Sequence, residues 1–180
     1  MINVFGFAFG MTCFILIFLY VRYEMSFDSF FEDSDRIYRV ISRTPGDMYM
    51  GSDYYGVSPT PLAATLPVEV PEIETATKIG FPRNIWIGEK QQGFYVRAFY
   101  ADEDFFKVFS FDLIEGDRAS ALDGPNKVLI SQELAAKFFR GKDPMGRTVL
   151  DNFIVTGVFE NVPENSHFQF DYLCYRNIYI

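Results

Sequence analysis

Residues 2–21 read INVFGFAFGMTCFILIFLYV, and this stretch decides how the rest of the chain is read. It holds no charged side chain, and Asn3 and Thr12 are its main polar ones. About 20 residues at roughly 1.5 Å each span a hydrocarbon core of about 30 Å. In lipid the backbone must satisfy its own hydrogen bonds, so such a segment is helical. Tyr20, Arg22 and Tyr23 close the run with an aromatic and charged edge suited to a membrane interface. A secretory signal would show a basic start, a shorter apolar run and a small-residue cleavage site. Here no Lys or Arg precedes Arg22, and the run ends Phe-Leu-Tyr-Val-Arg. The reading is a transmembrane helix over residues 1–23. Gly6 and Gly10 lie four apart, the spacing that lets two membrane helices approach closely. They are the candidates for helix packing, although glycine is also simply common in such helices.

Every charged residue lies at or after Arg22, so the net charge of −8 belongs wholly to the exterior part. An acidic domain without a basic stripe repels a phosphate backbone, which excludes nucleic acid as a partner class. The acidity itself reads as a solubility device. Hydrophobic residues make up 49% and aromatics 18%, with 21 Phe and 11 Tyr, enough for a packed core. That aromatic load favours strands and short amphipathic helices. Cys13 sits in the apolar run and Cys174 near the other end, so a bridge between them is geometrically implausible. One His and no paired Cys argue against a zinc site.

Outward from the membrane, residues 24–35 read EMSFDSFFEDSD. Phe27, Phe30 and Phe31 fall at i, i+3 and i+4, which predicts a juxtamembrane amphipathic helix with a core-facing stripe. Residues 37–43 alternate like a strand, and residues 44–57 read as a Gly- and Tyr-rich loop. Ser58 and Pro59 predict a helix start, and Pro67 its early end. Residues 73–79 predict a strand, and 84–88 with 93–100 a hairpin turning near 89–92. Asp102 is placed as N-cap of DEDFFKVF, with Phe105, Phe106 and Phe109 on its apolar face. Residues 127–130 predict a strand, then Ser131 caps QELAAKFF and Gly141 ends it. Residues 148–150 and 154–160 predict closing strands, with Pro163 as a breaker. Strands mixed with short helices rather than regular βαβ units give an α+β domain.

No catalytic constellation emerges. His167 is the single imidazole, and its neighbour Ser166 does not make a triad, which is recognised by geometry. His167 reads as a group that caps or hydrogen-bonds a turn. The acidic pairs Asp33/Asp35 and Asp102/Asp104 do not follow the calcium-loop pattern. Gly141-Lys142 is followed by Asp143, so a phosphate-binding loop is absent, and any ATP would be bound by a separate subunit. With no site to name, the expectation is a chain that is not an enzyme and needs no cofactor.

Several segments together carry a family resemblance. They are NVFGFAFGMTCFILIFLYVRYEMSFDSFFEDSDRIYRV (3–40), SPTPLAATL (58–66) with PEIETATKI (71–79), FYADEDFFKVFSFDLIEGD (99–117), ALDGPNKVLISQELAAKFF (121–139), DPMGRTV (143–149) and VTGVFENVPENSHFQFDYL (155–173). In this order the chain resembles the first membrane helix and periplasmic core domain of FtsX-like/MacB-like ABC transporter permeases of the Bacteroidetes type.

The resemblance implies an α+β periplasmic core over 36–173, built of two small subdomains, and a tail over 174–180. It implies a permease subunit in the bacterial inner membrane with its domain in the periplasm. That domain would relay conformational change from a separate cytoplasmic ABC ATPase to substrate export or extraction. Bilayer lipid, the ATPase and a second permease copy are the implied partners. Such permeases carry further membrane helices, and this chain stops at CYRNIYI without one, so a fragment is expected. The alternative is a membrane-tethered extracytoplasmic binding module without ATPase coupling. A stiff helix from Ile2 towards Phe31 would be the coupling element, with Phe27, Phe30 and Phe31 on it, and Phe27→Pro would break it at about 3 kcal/mol.

Overall fold

The structure is a computed structural model that describes residues 2–46, 51–89, 92–150 and 152–175. Helix α1 runs Ile2–Glu24 and is long and apolar enough to cross a membrane. None of its apolar window is buried against the domain. The hydroxyl of Thr12, in the middle of the span, is satisfied within the helix: Oγ1 donates to the Ala8 carbonyl at 2.8 Å, as lipid requires.

The domain is built on one mixed sheet. Strand β1 (Ser42–Arg43) and β2 (Tyr54–Tyr55) form a separate two-stranded ribbon, and helix α2 spans Leu62–Glu69. The main sheet then takes β3 (Arg83–Glu89), β4 (Gln92–Ala101), β5 (Leu113–Gly116), β6 (Lys127–Ser131), β7 (Thr148–Val149), β8 (Phe153–Phe159) and β9 (Tyr172–Tyr175). Helix α3 is Phe105–Val108 and helix α4 is Gln132–Phe139. The strand order is β3-β4-β9-β6-β8-β5, with β7 also on β8. The β3/β4, β9/β6, β8/β5 and β8/β7 pairs are antiparallel; β4/β9 and β6/β8 are parallel. The fold is α+β, in agreement with the mixed order of elements in the sequence.

The two-residue period of strands sorts the core into two faces. Leu129, Leu173, Phe99 and Phe159 point to one, under Phe105, Phe109, Phe111 and Phe170. Val128, Ile130, Tyr172 and Cys174 point to the other, sealed by Leu134 and Phe139 of α4. Ser131 caps α4 as its sequence predicts, its Oγ accepting from the Leu134 amide at 3.1 Å. The helix closes through Arg140 and Gly141, both with left-handed φ (52° and 79°). Where β5 meets β8, Gly116 (φ 103°) lies so close that an added Cβ would stand 2.5 Å from the Thr156 carbonyl. Only glycine fits there.

Several sequence expectations are corrected. The helix predicted over 24–35 does not form: α1 stops at Glu24, and a series of turns and a short 3-10 turn (Ser34–Arg36) follow. Asp28 adopts φ 54°, a left-handed residue that a helix cannot contain. The chain leaves α1 there because the polar groups of Ser26 and Asp28 are bonded to the segment around Asn165. Phe27→Pro therefore breaks no helix. The strand predicted over 37–43 shrinks to Ser42–Arg43, and its partner β2 lies inside the predicted loop 44–57, of which residues 47–50 fall outside the described residues. Pro67 lies inside α2 rather than ending it, and no side chain caps α2, so Ser58 has another place. Asp102 does not cap α3; its carboxylate accepts from Thr77 Oγ1 at 2.5 Å and from the Lys78 amide at 3.0 Å. Those bonds pin residues 77–78 in place of the expected strand, of which only the Ile79–Ala101 bridge remains. Residues 174–175 are not tail but the end of β9, a central strand, and the rest of the predicted tail, 176–180, lies outside the described residues. The hairpin β3–β4 is found, and its turn at 90–91 lies outside the described residues.

The buried residues fall in two clusters, one on each face of the same main sheet. Among the described residues, none between Phe31 and Ile87 is buried. The segment shows Tyr38, Ile41, Tyr54 and Val68 to solvent instead.

Candidate functional site

The site lies where the chain passes from α1 into the domain. Residues 25–32 turn back onto the loop 163–168, and the two are laced together. Asp28 is the centre. Its amide donates to the Asn165 carbonyl at 3.0 Å. Its Oδ1 accepts from Ser166 Oγ at 2.8 Å and from the His167 amide at 3.1 Å. Its Oδ2 meets His167 Nδ1 at 2.7 Å. From the other side, Asn165 Nδ2 donates to the Ser26 carbonyl at 2.8 Å and to Ser26 Oγ at 3.1 Å. Ser166 is buried within this knot. Bonds to a charged acceptor are the strong ones, each worth about 1.5–3 kcal/mol when desolvated. The Asp28 side chain is about a quarter exposed, which places its bonds towards the lower end of that range.

Aromatic rings continue the joint into the core. Tyr23, in the last turn of α1, meets Phe27 edge to face at 5.3 Å between centroids, and Phe27 meets the His167 ring at 4.9 Å. Phe31 is 3% exposed and packs on Phe109 at 5.2 Å and Phe111 at 5.1 Å. Phe30 lies between Phe31 (4.2 Å) and Phe111 (5.9 Å). The Glu32 amide donates to Ser110 Oγ at 2.9 Å. Edge-to-face rings at these distances add about 0.5–1.5 kcal/mol each beyond burial. The segment that leaves the membrane helix is thus seated on the sheet by one polar knot and one aromatic cluster.

Of the residues singled out in the sequence, Phe27, Phe30 and Phe31 do meet the domain, through turns rather than a helical stripe. Tyr20 and Arg22 are exposed near the end of α1, with Tyr23 partly covered by Phe27. Gly6 and Gly10 lie on an open face, where a Cβ added at either would meet nothing within 4 Å. Sequence reasoning missed Asp28 and Asn165, and gave Ser166 no role. The signal was present in SFDSF (26–30), where Asp and Ser, poor helix formers that favour turns, interrupt the phenylalanines. His167 has the turn-bonding place its sequence suggests. Among the described residues no group of three or more metal-binding side chains occurs.

Among the described residues one helix is long and apolar enough to cross a membrane, and it is clamped onto an α+β sheet, the layout of a class of membrane-anchored domains. The particular family follows from comparison. The family model of the MacB-like periplasmic core domain matches residues 1–180, and the chain belongs to that family. Among solved structures, it is similar to a domain described as part of a permease from Porphyromonas gingivalis, at 30% identity and TM-score 0.54. That match covers 63% of this chain and 55% of the other. The periplasmic region of MacB from Actinobacillus actinomycetemcomitans matches at 17% identity and TM-score 0.44, over 62% of this chain and 52% of that one. The extracellular domain of the noncanonic ABC-type transporter YknZ from Gram-positive bacteria matches at 14% identity and TM-score 0.41, covering 54% and 52%. The matches span about half the length of these solved domains. Among curated proteins none matches this sequence.

Proposed function

We propose that this chain is the membrane-anchored part of an ABC transporter permease, and that its domain relays movement between membrane and periplasm. Family membership supports the permease assignment. The observation that carries the relay is the joint: Asp28 and Phe31 tie the end of α1 to the 165–167 loop and to the aromatic face of the sheet. A helix followed by a free linker would dissipate any displacement, whereas this exit passes it to the domain. The driving displacement would come from a separate cytoplasmic ATPase, since no nucleotide-binding motif occurs in this sequence. The domain would sit in the periplasm, with α1 crossing the inner membrane and Gly6 and Gly10 facing another membrane helix, in a second permease copy or within the same one.

The test uses the permease that contains this chain, reconstituted with its ATPase in bilayers. Spin labels near the exterior end of α1 and on the sheet report their separation with and without ATP, alongside a label pair that reports domain displacement. The wild type keeps the first distance fixed while the domain moves. Asp28→Ala with Phe31→Ala lets the first distance vary and reduces domain movement. Full domain movement in the double variant would refute the relay through this joint.

A further inference from the structure

Beside the joint lies an open cleft of about 280 Å³, lined by Pro82, Asn84, Arg97, Phe99, His167 and Gln169. The register pairs Asn84 with Arg97 across β3 and β4, which sets both on the sheet face that carries Phe99. Its position relative to the membrane follows from the ring ladder. His167 lies 4.9 Å from Phe27, and Phe27 lies 5.3 Å from Tyr23. At about 1.5 Å per residue, the 23 residues of α1 exceed a hydrocarbon core of roughly 30 Å. The last turn, with Tyr23, therefore stands in the headgroup layer, and the cleft opens within two ring contacts of it.

The polar groups of the cleft are unevenly used. His167 Nδ1 is spent on Asp28, which leaves Nε2 as the ring nitrogen open to a ligand. Gln169 Nε2 is spent on the Pro163 and Ser166 carbonyls at 2.7 and 3.1 Å, so that side chain is a fixed wall. Arg97 reaches only the Gln169 carbonyl, at 3.5 Å, and pairs with no carboxylate among the described residues. The acid that bonds the His167 ring, Asp28, is itself engaged by Ser166 and His167. In a chain of net charge −8 this is a local cationic spot with one further potential donor, Asn84, beside it and the His167 ring as a wall. A guanidinium with open donors suits a phosphate oxygen pair.

We propose that this cleft receives the phosphodiester of a phospholipid headgroup, with Arg97 as its cationic anchor, Asn84 as a flanking donor and the His167 ring lying against it. The inference rests on α1 crossing the membrane, and on nothing about the ATPase. A lipid held there would lie against the same His167 that Asp28 holds, and so beside the exit joint. An acidic domain is otherwise pushed away from an anionic bilayer, and a cationic contact at the joint offsets that locally.

His167 is the single histidine of the chain, so one labelled imidazole reports the site without assignment. The full chain, purified with a tag that carries no histidine, is placed in nanodiscs of phosphatidylethanolamine with phosphatidylglycerol, and in nanodiscs of a galactolipid that carries no phosphate. The imidazole nitrogen resonances are expected to differ between the two bilayers. Arg97→Gln, an exposed position that leaves the core intact, is expected to abolish the difference, and Asn84→Ala to reduce it. Identical spectra in the two bilayers would overturn the proposal, as would a difference that survives Arg97→Gln. Inorganic phosphate added to the galactolipid discs is expected to have no effect. If it reproduced the phospholipid spectrum, the site would be one for free anions and the lipid assignment would fall. A chain that stayed dissolved without detergent would refute the membrane span instead, before any spectrum was taken.

Discussion

The two faces of the sheet are built from different side chains and meet different company. The face that receives the exit segment is phenylalanine: Phe99, Phe105, Phe109, Phe111, Phe159 and Phe170, with Phe31 arriving from the membrane side. The opposite face is largely aliphatic: Val96, Val128, Ile130, Val155 and Val158, closed by α4. β-Branched side chains are stiff at χ1 and here pack against a helix from their own segment of chain. Aromatic rings accept many pair geometries, and those around Phe105 range from stacked at 7° to edge-on at 85°. The aromatic face can therefore seat an incoming segment, and the aliphatic face is already full. The segment that follows α1 packs on one face only.

The largest effects test whether both faces are core. Phe105 is 1% exposed and touches Phe106, Phe109, Phe111 and Phe170. Phe105→Ala is expected to cost about 3–5 kcal/mol, read by denaturant unfolding in detergent. Leu134→Ala, beneath α4, is expected to cost about 2–5 kcal/mol. The contrast between the faces is sharpened by hydrogen exchange measured on the same variants. Phe105→Ala is expected to speed exchange of the Asp28 and His167 amides beyond its effect on α4, and Leu134→Ala the reverse. Equal loss of protection on both faces in both variants would dissolve the distinction.

A smaller effect separates the joint from the core. Asp28→Ala removes acceptors for Ser166, the His167 amide and His167 Nδ1. We expect a loss of about 1–3 kcal/mol, mostly local, because the group is partly exposed. Amides of residues 165–167 should exchange faster while Leu129 and Leu173 on the sheet stay protected. If the sheet amides lost protection equally, Asp28 would belong to the core's cooperative unit rather than to a separable joint.

How much of this was legible in the sequence depended on whether the signal was local. The membrane helix, the β3–β4 hairpin and the Ser131 cap were legible, since run length, alternation and a cap at the right offset are properties of neighbouring residues. The exit was misread. Phe27, Phe30 and Phe31 have helical spacing, yet Asp28 between them is captured by residues 165–167, 138 positions away at Ser166. A tertiary bond of that range overrides a local period and has no trace in the spacing. Asp102 failed as a cap for the same reason, since Thr77 and Lys78 outcompete the helix for its carboxylate. Strand β9 was hidden because it is a short piece, Tyr172–Tyr175, buried between β4 and β6, and a buried strand shows no alternation. The joint was thus half visible: its aromatic residues could be read, and its polar clamp left only the turn-forming Ser and Asp of SFDSF.

The smallest expected effect has the opposite sign and probes the aliphatic face from within. Tyr172 is 1% exposed, and its hydroxyl has no hydrogen-bond partner among the described residues. Burial, with smaller contributions from Cys174 and Tyr100, raises its pKa well above the ordinary 10.0. The folded state therefore keeps the phenol neutral where the unfolded chain would ionise it. That stability is complete below pH 10 and drains as pH rises through it, because the unfolded state alone releases the proton. Tyr172→Phe removes both the unpaired hydroxyl and the linked proton. Near neutral pH the variant is expected to be more stable by about 1 kcal/mol, since an unsatisfied buried polar group has gone. Above about pH 10, the ordinary phenol range, its stability should fall less steeply than that of the wild type, seen as diverging unfolding midpoints. A variant that gains stability but keeps the wild-type alkaline slope would mean that the proton is released elsewhere, and that the aliphatic face tolerates an ionised phenol its packing should exclude.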